Sequence, residues 1–202
     1  MITNILRWGL LGSLLAGVPA VAGPPLICQP IDIGGAKSLP WRAVNGWDGT
    51  EGSYDTTRLT ADTLPLLAPE SPVNVRMETM RRAALYAAKN ERLAEELSNR
   101  LMARALDAEA AGKADPLAWF DAGYFVETLR QATFIYRYDM LSAEERKAWR
   151  LRGAGSPLDG YPWVRKAIRL GGKNMEEALS RMGEYRKTDL ETRARESAAA
   201  RR

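Results

Sequence analysis

Asp115-Pro116-Leu117-Ala118-Trp119-Phe120-Asp121-Ala122-Gly123-Tyr124-Phe125-Val126-Glu127-Thr128-Leu129-Arg130-Gln131-Ala132-Thr133-Phe134-Ile135-Tyr136 is the stretch that decides the fold. An oxygen-bearing side chain stands directly before a proline, so Asp115 can cap a helix and Pro116 can occupy its first position, where the missing N–H costs nothing. From Leu117 to Val126 the chain is apolar nearly all round. Ala122, Val126, Leu129, Thr133 and Tyr136 then step by four, three, four and three residues. That spacing predicts one long helix buried at the centre of the molecule.

The same start signal recurs on either side, at Ser71-Pro72 and Ser156-Pro157, spaced 44 and 41 residues from Asp115-Pro116. Each interval has room for a second helix, and the chain from 71 to 187 therefore reads as three packed helical hairpins, an all-α domain. In the first, Met77, Met80, Ala84 and Ala87 line one face, and after a break at Asn90 the residues Leu93, Leu97 and Leu101 recur at four-residue spacing. Both helices should keep one wet side. In the second hairpin, Ser142 with Glu145 forms a capping box for a short charged helix ending before Gly153. In the third, Tyr161 to Leu170 is helical, Gly171-Gly172 stops it, and Asn174 with Glu177 caps a last helix through Met182 and Tyr185.

Upstream, residues 23–70 hold Pro24, Pro25, Pro30, Pro40, Pro65 and Pro69 together with Gly34, Gly35, Gly46, Gly49 and Gly52, a spacing through which no long helix persists. Leu26, Ile27, Ile31, Ile33, Trp41, Trp47, Tyr54, Leu64, Leu66 and Leu67 make the segment too apolar for a free linker. It is expected to be an extended Pro/Gly-rich arm lying over the helical body, with one helical turn between Asp62 and Leu67.

Residues 1–22 read as a removable signal peptide. Met1 to Arg7 carries one positive charge and no acid, Trp8 to Val18 is an apolar run too short to span a bilayer, and Ala20-Val21-Ala22 supplies the small residues, Ala20 and Ala22, of a cleavage site. Export to the periplasm or beyond follows, and a mature chain starting near Gly23. The formal net charge of +4 is too mild to argue for nucleic acid. Much of the excess sits in 188–202 and the two residues before it, a basic, apolar-poor end expected to be disordered.

Histidine is absent and Cys28 is the sole cysteine. Ser-His-Asp and Cys-His catalysis, His-containing zinc sites, intrachain disulfides and thiolate zinc clusters are thereby excluded. Ile27 before Cys28 is too bulky for a lipoprotein signal, which leaves a buried or tolerated thiol, with an intermolecular disulfide as the alternative. Gly34-Gly35-Ala36-Lys37-Ser38 lacks the first glycine of a phosphate-binding loop and reads as a turn. The methionines at 77, 80, 102, 175 and 182 lack Cys or His neighbours and read as core filler, so no metal, cofactor or catalytic residue is assigned.

Two clusters remain as candidate binding residues. Trp41, Trp47, Asp48, Tyr54 and Asp55 combine rings that stack on a sugar with carboxylates that accept its hydroxyls, and two such carboxylates could in principle hydrolyse a glycoside without histidine. The competing reading has the indoles pinning the arm to the helices and the Asp side chains capping turns. Arg76, Arg81 and Arg82 suit a basic rim for an acidic peptide, against a plain solvated helix face.

Trp119-x-x-Ala122-Gly123 resembles the opening of a tetratricopeptide-repeat helix, and Trp163-Val164-Arg165-Lys166-Ala167-Ile168-Arg169-Leu170 is similar to the second helix of such a repeat. The two matches are out of register, and the spacing of about 42 exceeds that family's 34. The resemblance implies packed helix pairs, a TPR-like superhelix, and binding of a protein or peptide. Leu26-Ile27-Cys28, Ser38-Leu39-Pro40-Trp41 and Val75-Arg76-Met77-Glu78-Thr79 are similar to a group of exported bacterial helical proteins, which implies no function. The expected role is a non-catalytic envelope module that holds a protein partner, with a glycan or cell-wall binder built on Trp41, Trp47 and Tyr54 as the alternative.

Overall fold

The computed structural model describes residues 25–42, 47–140 and 158–183, with only the backbone of 137–140. The signal peptide with its Ala20 and Ala22, the Ser142/Glu145 capping box, the Ser156-Pro157 start signal and the 188–202 tail lie outside the described residues. Within them the chain is all-α. Seven α-helices appear: α1 Pro25–Cys28, α2 Leu59–Thr63, α3 Val73–Ala87, α4 Glu91–Ala110, α5 Pro116–Met140, α6 Tyr161–Arg169 and α7 over residues 176–183. Short 3-10 turns, Thr56–Arg58 and Leu64–Leu67, flank α2. The β-type pairing among the described residues is one antiparallel bridge, Trp41 to Thr50. No helix among the described residues is long and apolar enough to cross a membrane.

Local chemistry places the helix ends. Asp115 caps α5, its Oδ1 accepting the Leu117 N–H at 2.8 Å, and the Asn90 side chain caps α4 by accepting from Arg92 and Leu93. Gly171 ends α6 at φ 89°, with its N–H on the Ile168 carbonyl and the Gly172 N–H on that of Ala167, the paired bonds of a Schellman stop. Two expected caps shift. α3 begins at Val73 with Pro72 as its cap residue, and Ser71 instead donates to the Leu66 carbonyl, because Pro72 takes an extended conformation. Asn174 takes φ 61° ahead of α7 rather than serving as its cap residue.

α5 is the hub, packing against α3, α4 and α6. α3 and α4 touch each other only lightly, each laying a face on α5. α4 has the expected wet side, with Leu93, Leu97, Leu101 and Ala105 as its buried stripe. α3 does not. From Val75 to Ala87 every residue except Arg82 is buried, including Arg76, Glu78 and Arg81. It is a second central helix, sandwiched between α5 and the N-terminal arm, and its charges are matched inside the protein.

α6 meets α5 at two glycines. A Cβ built on Gly123 would lie 2.6 Å from the Gly160 carbonyl oxygen, and one on Gly160 would lie 2.0 Å from that of Gly123. Backbone touches backbone here, and the Gly160 N–H donates to Glu127 Oε1 at 3.1 Å.

Candidate functional site

The arm runs beside α3 and is laced to it at successive helical turns. Asn74 donates to the Asp32 carbonyl, the Ile31 N–H donates to Glu78, the Ser38 and Thr79 hydroxyls bond each other, Arg82 donates to the Leu39 carbonyl, and Tyr86 donates to that of Pro40 while accepting the Glu51 N–H. The arm has almost no secondary structure to absorb its backbone polar groups, so α3 side chains supply the partners.

At the centre of this seam Glu78 takes Arg81 on both oxygens, at 2.7 and 2.8 Å, and Arg82 at 2.8 Å. The remaining guanidinium donor of Arg81 reaches the carbonyls of Ile27 and Trp47, both at 3.1 Å, so one buried cation ties α1, the 47–50 loop and α3 together. Burial alone would raise the Glu78 carboxyl, but the hydrogen bonds and charge of Arg81, joined by Arg82 and the Ile31 N–H, outweigh it and hold it below its ordinary value.

A second buried pair lies nearer the N-terminal end of α3. Arg76 Nη1 donates to Asp121 Oδ2 at 2.6 Å, while its other nitrogens bond the carbonyls of Leu67, Ala68 and Ser71. Arg104 of α4 stands 3.8 Å from the same carboxylate oxygen. Burial pushes the Asp121 carboxyl up to about 7, against the pull of both guanidinium groups. The basic rim expected from Arg76, Arg81 and Arg82 is corrected here. Arg76 and Arg81 are fully buried and satisfied by Asp121, Glu78 and main-chain carbonyls, and only Arg82 keeps partial exposure.

The aromatic and acidic cluster is drawn into the same seam. The Trp41 ring has Arg81 at 4.7 Å and Arg82 at 5.5 Å from its centroid and stands perpendicular to the Tyr86 ring, with the two ring centroids 6.4 Å apart. Its indole lies so close to Gly49 that a Cβ there would come within 2.5 Å. Trp47 packs on Tyr136 at 5.4 Å and Tyr54 on Tyr86 at 4.9 Å, with the Tyr54 hydroxyl donating to Asp62. Asp48 Oδ1 accepts the Thr50 N–H and hydroxyl, and its Oδ2 accepts from Tyr136 at 2.7 Å and Lys89 at 3.3 Å. Against the upward push of partial burial, the bonds from Tyr136 and Thr50 and the Lys89 charge hold this carboxyl down at about 2. Asp55 lies apart from this network and caps the following 3-10 turn through the Thr57 N–H and hydroxyl.

The structure therefore brings Trp41, Trp47, Asp48 and Tyr54 to one seam, each partly exposed and each with an internal ring, cation or hydrogen-bond partner, and leaves Asp55 as a turn cap. Sequence reasoning missed Glu78, Tyr86, Lys89, Asp121 and Tyr136 as organisers of that seam. For Glu78 a signal existed, its spacing of three and four residues from Arg81 and Arg82. Among the described residues no group of His, Cys, Asp and Glu is placed to hold a metal ion. Cys28 is half-buried, and burial pushes its thiol up despite the Arg81 charge.

No protein-family model matches this chain, and no curated protein or solved structure proved similar to it.

Proposed function

We propose that this chain is an exported, non-catalytic helical module of the bacterial envelope that holds a protein partner on its outer helix faces. The observation that supports this most is the fate of its polar and aromatic groups. The cations, carboxylates and rings that could have met a ligand along α3 are used to clamp the arm. The product is a rigid scaffold with the wet sides of α4 and α6 left as its presented surfaces. Trp41 carries Arg81 and Arg82 and Trp47 packs on Tyr136, contacts that take up ring surface a stacked sugar would use. TPR-like use of helix pairs as a docking platform is part of this proposal.

Cross-linking the protein in its native envelope, followed by mass spectrometry, tests it. One stoichiometric protein partner cross-linked through Lys or Glu side chains of α4 or α6 is expected. Recovery of glycan fragments without protein, together with quenching of tryptophan fluorescence by soluble glycans, would overturn it in favour of the carbohydrate alternative. Export itself is checked by the N-terminus of the protein recovered from the envelope, expected near Gly23.

A further inference from the structure

α1 is only four residues long, yet it is seated in the interior. Leu26 is 1% exposed and belongs to the main apolar core, while Ile27 is 0% exposed and packs with Leu85 of α3 and Ala132 of α5, with Trp41, Trp47 and Tyr136 around them. The short helix thus stitches two apolar clusters together against α3 and α5. Its backbone is held as firmly as its side chains. The Leu26 N–H donates to Gln131 Oε1 at 3.1 Å, and the Ile27 carbonyl accepts from Arg81 at 3.1 Å, both partners being fully buried. Arg81 is itself fixed by Glu78 and also reaches the Trp47 carbonyl, so the seating of α1 and the closure of the seam share one guanidinium.

The bond expected to be cut on export, Ala22–Gly23, stands close to this seat in the chain, with Leu26 the fourth residue after it. The spacer of three residues spans at most about 11 Å. Two of the three are Pro24 and Pro25, whose rings fix φ and keep the spacer from bending the bond away. A peptidase takes its substrate as an extended strand over several residues around the scissile bond, bonding the strand's own N–H and C=O groups. Seated α1 denies it both. The chain is helical from Pro25, and the Leu26 N–H and Ile27 carbonyl are already committed to Gln131 and Arg81.

We infer that α1 is a latch whose seating and the cutting of the Ala22–Gly23 bond exclude one another, so that the leader has to be removed before the arm locks onto α3. This rests on the export reading above and adds an order of events to it. The cut is a hydrolysis, in which water adds across the Ala22–Gly23 amide and leaves a carboxylate on Ala22 and an amino group on Gly23. A chain with α1 seated is cut only through the fraction of molecules in which α1 has come out. In a chain already cut, Leu26 and Ile27 enter their clusters, Arg81 gains the Ile27 carbonyl, and the ties from Ile31 to Tyr86 close the seam. The scaffold is thereby completed on the far side of the membrane.

The test compares the full 202-residue chain, folded in mild detergent, with a synthetic peptide of residues 10–32. Each is incubated with a bacterial leader peptidase, and the products are read by mass spectrometry. The peptide is expected to be cut at Ala22–Gly23. The folded chain should be cut on the order of 100-fold more slowly, since each of two buried aliphatic side chains holds the seated form by about tenfold or more. L26S/I27S in the full chain should bring the rate to within about fivefold of a peptide carrying the same changes, which removes any sequence preference of the enzyme. Q131A, which takes the bond to the Leu26 N–H away from the far side of the seat, should raise the rate severalfold. Equal rates for the peptide and the folded parent, both cut at Ala22–Gly23, would overturn the latch and leave the export reading intact. A peptide not cut at that bond would overturn the export reading, and the latch with it. The comparison of parent with peptide involves no variant, so it decides the matter even where L26S/I27S does not fold.

Discussion

Replacing Gly123 with alanine sets two physical effects of opposite sign against each other. Gly123 lies inside α5, where alanine is the better helix former, and propensity alone makes G123A more stable by about 1 kcal/mol. The new methyl carbon, however, would sit 2.6 Å from the Gly160 carbonyl oxygen, 2.9 Å from Val164 Cγ2 and 3.0 Å from the Val164 nitrogen. Two of those neighbours are backbone and cannot swing aside, so α6 must move away, loosening the buried Val164 and Ala167 and lengthening the Gly160–Glu127 bond. Overpacking of that kind costs about 1–3 kcal/mol, more when backbone must shift. The contact outweighs the propensity. We expect net destabilisation of about 1–2 kcal/mol, a fall in melting temperature of about 2–8 °C for a domain of this size.

Urea denaturation monitored by tryptophan fluorescence measures this, because Trp119 and Trp163 lie at the same joint, 6.5 Å apart. G160A should be at least as damaging, since its Cβ falls 2.0 Å from the Gly123 oxygen while its backbone, at φ −78°, suits alanine. Once α6 has been displaced, the second substitution should add less than its own cost, so the double variant should be less destabilised than the sum. G35A, with open space around it, should be neutral or slightly stabilising and serves as the control. A G123A protein more stable than the parent would refute the account of how α6 is seated.

Arg81→Met leaves Glu78 buried with only Arg82 and the Ile31 N–H, and should cost about 3–5 kcal/mol in chemical denaturation, with arm residues 29–42 becoming cleavable by protease before global unfolding. Asp48 makes stability acid-sensitive. Its folded carboxyl sits at about 2 against an ordinary value near 4, so its contribution is complete above pH 4 and is lost as pH falls from about 4 to about 2. After discounting for its partial exposure this amounts to about 1 kcal/mol, and D48N should flatten that part of the stability–pH curve. Asp121 acts in the opposite sense, its raised carboxyl making the fold less stable as pH rises from about 4 towards 7, a slope that D121N should remove. Asp115→Ala should cost about 1 kcal/mol through loss of the α5 cap, whereas Ser71→Ala acts only through the lost bond to Leu66.

The helices themselves were legible because their signals are local. Asp115-Pro116, the four-residue leucine spacing of α4 and the Gly171-Gly172 stop each act within a turn or two of the residues that carry them, and each reappears in the structure. The arm was legible in outline, because its prolines forbid helix while its leucines and tryptophans demand burial. Its helical content was underestimated, since Thr56 to Leu67 forms three consecutive short turns rather than one. Trp41, Trp47, Asp48 and Tyr54 lie along one seam of the fold, but proximity in sequence says nothing about which side of a ring faces a neighbour. Lys89 and Tyr136 reach Asp48 from 41 and 88 residues away, and Tyr86 meets both Trp41 and Tyr54 from α3.

By itself the sequence determined an all-α body with α5 at its centre, because apolar periodicity and capping chemistry are properties of short segments. Only the tertiary structure decided that α3 is also central. Arg76, Arg81 and Arg82 read as a basic rim or a wet helix face, since a charge in isolation belongs in water. Arg76 and Arg81 are buried because Asp121, 45 residues away, Glu78 and the unpaired carbonyls of a strandless arm meet them in space. Whether a charge can leave water depends on partners that only the folded chain assembles.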